Sequence, residues 1–145
     1  MKSLFFPLLL ASMIAGTAAI AAPSPLRIQT PWMRALPGSV PAGGYFVLHN
    51  DGKAMVTLTG AQSPACGMLM LHLSENQGGM SSMRHLDSID VAPGGTLEFK
   101  QGSYHLMCMQ PGPAIKPGAS VPVTLTFKDG AKVTADFPVR DATGK

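Results

Sequence analysis

Glycine and proline recur every ten residues or so along this chain, and that punctuation limits what it can build. Sixteen Gly and thirteen Pro are spread over 145 residues. Proline removes a backbone donor, and glycine weakens the interior of a helix or strand. No segment keeps a 3.6-residue apolar period for long, and what remains between the breakers reads as short strands. Gly43 to Asn50 alternates Tyr45, Val47 and His49 against Phe46, Leu48 and Asn50. Asn50-Asp51-Gly52-Lys53 predicts a turn, with Ala54 to Gly60 leading away from it. Met68 to Ser74 and Met80 to His85 form a hairpin closed by Asn76-Gln77-Gly78-Gly79, and Thr96 to Lys100 and Tyr104 to Gln110 follow. Val121 to Phe127 and Ala131 to Val139 flank Lys128-Asp129-Gly130, a strong hairpin signal. Ala22 to Pro31 reads as a first edge strand. Short strands at this spacing predict an all-β sandwich or barrel in one domain.

The N-terminus has a different character. Lys2 precedes an apolar stretch from Leu4 to Ile14, and Ala19-Ile20-Ala21 fits a small-residue cleavage site. Residues 1–21 are therefore expected to be a secretory signal peptide, with 22–145 as the domain that remains. The apolar stretch is short for a membrane span, and no cysteine follows closely enough to carry a lipid. No later segment is long and apolar enough to cross a bilayer, so no membrane span is expected after cleavage.

The formal charge of +3 includes Lys2, and the remaining charges are scattered. With no basic run and few aromatics, a nucleic-acid surface is not expected. There is no nucleophile–base pair and no paired carboxylates, so an enzyme is not expected either. Export permits a disulfide between Cys66 and Cys108, closing a loop of 43 residues (108 − 66 + 1). Two free thiols or a thiolate metal ligand remain open at this point.

Methionine is the unusual component. Eight of ten follow the signal segment, and six of those lie between residues 68 and 109. A hairpin centred between Gln77 and Gly78 would set His72 directly across from Met83, on one face. His105 and Met107 are two apart on another strand and share a face by the same alternation. Thioether sulfur is a soft, neutral ligand that suits Cu(I) and poorly suits Mg²⁺, Ca²⁺ or Zn²⁺, while imidazole binds copper in either oxidation state. A set of two histidines and two methionines adds no negative charge, which favours a soft monovalent ion. Met70 and Met109 share faces with His72 and Met107 respectively and read as a hydrophobic collar, with a substitute ligand as the alternative reading of each. Met68 and Met80 read as packing or loop residues, and His49 and His85 are not expected to be ligands.

The spacing of these four is that of a known family. His72, ten residues, Met83, twenty-one residues, His105, one residue and Met107 resembles the signature of the periplasmic copper chaperones called PCu(A)C. Pro31-Trp32-Met33-Arg34, Ala42-Gly43-Gly44-Tyr45, Tyr104-His105-Leu106-Met107 and the Thr124 to Val139 hairpin resemble further elements of that family. The resemblance implies a Greek-key β-sandwich, cupredoxin-like or immunoglobulin-like, with an exposed Cu(I) site at one end formed by His72, Met83, His105 and Met107. It also implies a monomeric metallochaperone of the periplasm. Its partner would be a copper donor or acceptor, such as a cytochrome c oxidase subunit or a thioredoxin-like copper chaperone. The work would be assembly of the oxidase's dinuclear copper centre or wider periplasmic copper handling. Cys66 and Cys108 stand outside the signature. Arg140 to Lys145 lacks the His- and Met-rich tail that gives some relatives further copper binding. Two other functions compete: a blue-copper electron-transfer protein, which would need a Cys–His₂ set, and a secreted β-sandwich that binds a partner without metal.

Overall fold

A computed structural model of the chain describes residues 24–145. The expected signal peptide lies outside them. The described residues form ten strands and no helix. These are β1 (Leu26–Arg34), β2 (Ala42–Asn50), β3 (Val56–Gln62), β4 (Cys66–Gln77), β5 (Met80–Leu86), β6 (Ile89–Val91), β7 (Thr96–Phe99), β8 (Tyr104–Pro111), β9 (Ser120–Phe127) and β10 (Lys132–Arg140).

The strand order is β5-β4-β8-β7-β2-β1-β10-β9-β3-β6, with a second pairing of β8 on β2. The ladder folds over at β1 and β10, which meet in a short parallel pairing of Met33 with Val139 and Arg34 with Arg140. One layer therefore contains β5, β4, β8, β7, β2 and β1, and the other β10, β9, β3 and β6. The chain passes repeatedly between the layers in the manner of a Greek-key sandwich, as expected. β9 shows why the layers pack. Val121, Val123, Leu125 and Phe127 alternate with more exposed residues and are all buried. In the core, Phe46 of β2 stacks on its cross-strand partner Phe99 of β7 at 4.3 Å and meets Phe137 of β10, from the other layer, edge-on at 5.8 Å. Such aromatic contacts add roughly 0.5–1.5 kcal/mol each beyond the area they bury.

Two expectations are corrected. The first strand begins at Leu26 and is not an edge, because it pairs with β2 on one side and β10 on the other. It passes through Pro31 by means of an irregularity between Gln29 and Trp32, where Thr30 has a φ of 48°. A bulge lets a proline sit inside a sheet without breaking the ladder on either side. The second correction is the register of the β4–β5 hairpin. Gln77 pairs with Met80, so Gly78 and Gly79 alone make the turn. Both have positive φ, 58° and 80°, as a type I′ hairpin turn requires. The hairpin is centred one residue later than expected, and the pairing moves by two. His72 faces His85, and Met83 faces Ser74. A shift of two preserves side-chain parity, so Met83 stays on the same face as His72.

Candidate metal centre

β4 is the middle of three strands that carry the candidate residues, with β5 on one side and β8 on the other. Its inward residues, Leu69 and Leu71, are buried in the core together with Leu106 and Cys108 of β8. Alternation then turns Met68, Met70 and His72 of β4, and His105, Met107 and Met109 of β8, to the outer face. Direct pairs across the two strands are His72 with His105, Met70 with Met107, and Met68 with Met109. The sheet ends near the histidine pair. Leu73 with Tyr104 is the last β4–β8 pair, and the remainder of the β4–β5 hairpin projects beyond it.

His72 and His105 lie with ring centroids 5.7 Å apart and planes at 74°. Two imidazoles sharing one ion stand about 5–6 Å apart, given nitrogen–metal bonds of about 2.0–2.1 Å. Met107 follows His105 by two residues on β8 and is diagonal to His72. Met83 is diagonal to His72 on β5. Diagonal side chains begin about 7–8 Å apart, within reach of a long thioether. The structure thus brings all four sequence-derived residues to one face at one end of the outer layer. Met83 is 57% exposed, whereas His105 is 7% exposed.

The ring nitrogens are informative. His105 Nδ1 lies 3.0 Å from the Ser103 carbonyl oxygen. A carbonyl can only accept, so Nδ1 carries the proton, and Nε2 is the nitrogen a neutral ring would offer to an ion. His72 Nδ1 is buried and has no hydrogen-bond partner. A buried ring nitrogen without a partner costs free energy that a bound ion or a proton donor would recover. Burial, and then the neighbouring His105 and His85 imidazoles, hold the His72 pKa below the ordinary histidine value. The lowering favours the neutral ring, the form in which an imidazole can bind a metal ion.

A cleft of about 350 Å³ is lined by Met83, His105 and Met107 together with Val40 and Pro41. Tyr45 also lines it and lies over Gly43, the cross-strand neighbour of Met107. A Cβ on Gly43 would stand 2.6 Å from the Tyr45 hydroxyl oxygen, so only glycine leaves room for that ring. Tyr45 in turn packs against Trp32 at 4.8 Å, and the Arg140 guanidinium sits 5.2 Å above the Trp32 ring. Arg34 Nε donates to the Ala142 carbonyl at 3.0 Å. The tryptophan and arginine of the early motif are thus engaged in holding the wall of the cleft.

The other histidines differ from each other. His49 is bonded at both ring nitrogens, to Gln29 at 2.7 Å and Thr96 at 3.3 Å. His85 is directly across from His72, with ring centroids 5.7 Å apart, so three imidazoles form a row over β5, β4 and β8. The assumed register hid this neighbour; the Gly-Gly pair, read as a two-residue turn, was the signal for it. His85 Nε2 is 3.3 Å from an Asp87 carboxylate oxygen. Among the described residues no group of three or more His, Cys, Asp or Glu is placed to hold a metal ion. Cys66 and Cys108 are joined in a disulfide, which settles the three possibilities left open by the sequence.

The sequence profile of the LpqE-like family, described as "Putative lipoprotein LpqE-like", matches residues 26–139. The chain belongs to this family. The LpqE-like chain also shares its fold with PCuAC domains, in agreement with the resemblance read from its motifs. The copper-bound PCuAC domain from PmoF2 is 23% identical, covers 83% of this chain and 97% of its own length, and superposes with a TM-score of 0.68. Apo-DR1885 from Deinococcus radiodurans is 27% identical over 97% of this chain and 94% of its own, with a TM-score of 0.63. The Cu(I) form of DR1885 is 23% identical over 87% and 81%, with a TM-score of 0.60. No curated protein sequence matches the chain. No helix of the described residues is long and apolar enough to cross a membrane.

Proposed function

We propose that this LpqE-like protein is a periplasmic Cu(I) chaperone that holds its cargo with His72, Met83, His105 and Met107. The observation that carries the reading is the His72–His105 pair on β4 and β8, flanked on the same face by Met107 and Met83. Two imidazoles and two thioethers form a neutral, soft donor set, which favours Cu(I) over hard divalent ions. Met83 is on an exposed strand and lines a cleft, so an acceptor's ligand can replace it first while His105 still holds the ion from its buried position. Stepwise ligand exchange of this kind is what a chaperone requires. The copper-bound relatives support the choice of metal. Delivery to the dinuclear copper centre of cytochrome c oxidase, or wider copper handling, is the role this site would serve. The partner would be a donor or acceptor protein.

A blue-copper reading is not supported, because Cys108 is spent in the disulfide with Cys66 and has no thiolate to offer. The test of the chaperone reading is competition for Cu(I) against a Cu(I)-selective chelator. Met83→Leu/Met107→Leu is expected to weaken the tightest equivalent at least about ten-fold, since it removes both soft ligands of the set. Equal binding by the variant and the unaltered protein would show the assignment to be wrong.

A further inference from the structure

Three methionines on the outer face are not used by the His72–Met83–His105–Met107 set. Met68 of β4 pairs directly with Met109 of β8, and Met70 is one step along β4, on the same face and diagonal to Met109. Met68 is 57% exposed. The inward positions of these strands are filled by Leu69, Leu71, Leu106 and Cys108, so the core does not need the three thioethers. Met68 is exposed and Met70 and Met109 are half-buried, so the three thioethers form an apolar patch that solvent reaches. Met68, read from the sequence as a packing or loop residue, stands exposed on β4.

We propose that Met68, Met70 and Met109 form a second Cu(I) site, made of thioethers alone, beside the first. Directly paired residues have Cβ atoms about 4.5–5.5 Å apart, and neighbours two apart along a strand are separated by about 6.6–6.8 Å. From such a triangle the long, unbranched methionine side chain, with three rotatable bonds, can bring its sulfur to a common centre. Metal–sulfur bonds of about 2.3 Å require the three sulfur atoms to gather within about 4 Å of one another. Soft thioethers without any charged or nitrogen ligand select Cu(I) and offer little to divalent ions. The Cys66–Cys108 disulfide fixes the backbone beneath the triangle, since Cys108 directly precedes Met109 and Cys66 is two residues before Met68. Met107 borders both sites: it pairs with Met70 and follows His105 by two residues. It offers an ion a thioether to step across between the outer triangle and the histidines. The methionine triangle would then be an entry point, weaker than the site it feeds.

The proposal rests on the Cu(I) reading of the neighbouring site, and the experiment separates the two. The protein is titrated anaerobically with Cu(I) against bicinchoninate. Two equivalents are expected, one tight and one weaker. Met68→Leu/Met70→Leu is expected to lose the weaker equivalent and keep the tight one. Met83→Leu/Met107→Leu is expected to do the reverse. A single equivalent in the unaltered protein that is abolished by Met83→Leu/Met107→Leu overturns the second site and leaves the first standing. Two equivalents unaffected by Met68→Leu/Met70→Leu also overturn it. No uptake by the unaltered protein overturns both readings. A measurement that needs no variant is NMR of methionine methyl groups during titration with Ag(I), a redox-inert soft ion. The methyls of Met68, Met70 and Met109 are expected to shift only as the second equivalent is added. Static signals from these three through that addition would contradict the proposal.

Discussion

His72 and His105 face each other across β4 and β8, their rings 5.7 Å apart and close to edge-on. The two are not equivalent. His105 is nearly covered and is tethered through Nδ1 to the Ser103 carbonyl, whereas His72 is less buried and its Nδ1 has no partner.

That asymmetry separates two effects of substitution. His105→Ala should lose both a proposed metal ligand and a buried hydrogen bond, and should leave a void as well. It is expected to destabilise the apo protein by about 1–3 kcal/mol. His72→Ala removes a nitrogen that has no partner and should cost the apo protein less. Both should weaken Cu(I) binding by at least about ten-fold. Urea unfolding of the apo forms, set beside chelator competition, reads the two effects separately.

Acid should act on the apo protein partly through His72. Its pKa is lowered in the folded state, so between that value and the ordinary histidine range near ~6.5 the unfolded chain binds more protons. The contribution of this residue is therefore present above the ordinary range and is lost as the pH falls through the lowered value. Denaturation of the apo protein at stepped pH is expected to show this loss, and His72→Phe should remove it. A pH profile unchanged by that substitution would contradict the assignment.

The disulfide should matter to stability more than to the first copper site. It joins residues separated by 42 positions. Closing a loop of that size constrains the unfolded chain by about 4 kcal/mol at most. Cys66→Ala/Cys108→Ala is expected to lower the midpoint of urea unfolding markedly. Tight Cu(I) binding should survive at temperatures where the variant is folded, because neither sulfur belongs to the four-residue set.

The Gly78-Gly79 turn offers a test of register. Both residues have positive φ. Gly78→Asn should be tolerated, because Asn-Gly is a favoured type I′ pair. Gly78→Val should cost roughly 1–2 kcal/mol, the penalty of a left-handed conformation for a branched residue. If the turn sets the place of Met83, the valine variant should also weaken Cu(I) binding while the asparagine variant does not. Chelator competition on the two variants decides it.

Much of this architecture was legible in the chain, for reasons that differ by element. The β9–β10 hairpin was readable because alternation in Val121 to Phe127 and the Asp129-Gly130 pair point to the same answer. His105 and Met107 were placed on one face by parity alone, and their environment bears no ambiguity of register. The pairing of His72 was not readable, because a four-residue polar and glycine stretch permits more than one turn, and the turn chosen sets the register. Its face survived because the error was two residues. The interior place of β1 is not legible in its sequence, because the cost of Pro31 within a sheet is absorbed by a local irregularity that only the fold reveals. β6, three residues long, is too brief to show alternation.

The Cys66–Cys108 bond has a further consequence for how cargo changes hands. With both thiols joined to each other, none of the residues proposed to hold copper is itself open to disulfide exchange or needs to surrender a proton to a thiolate equilibrium. Loading and unloading can therefore proceed by neutral ligands trading places, without a reductant at hand. The protein that receives the ion then faces only a contest of donor atoms, which it can win with a tighter set of its own.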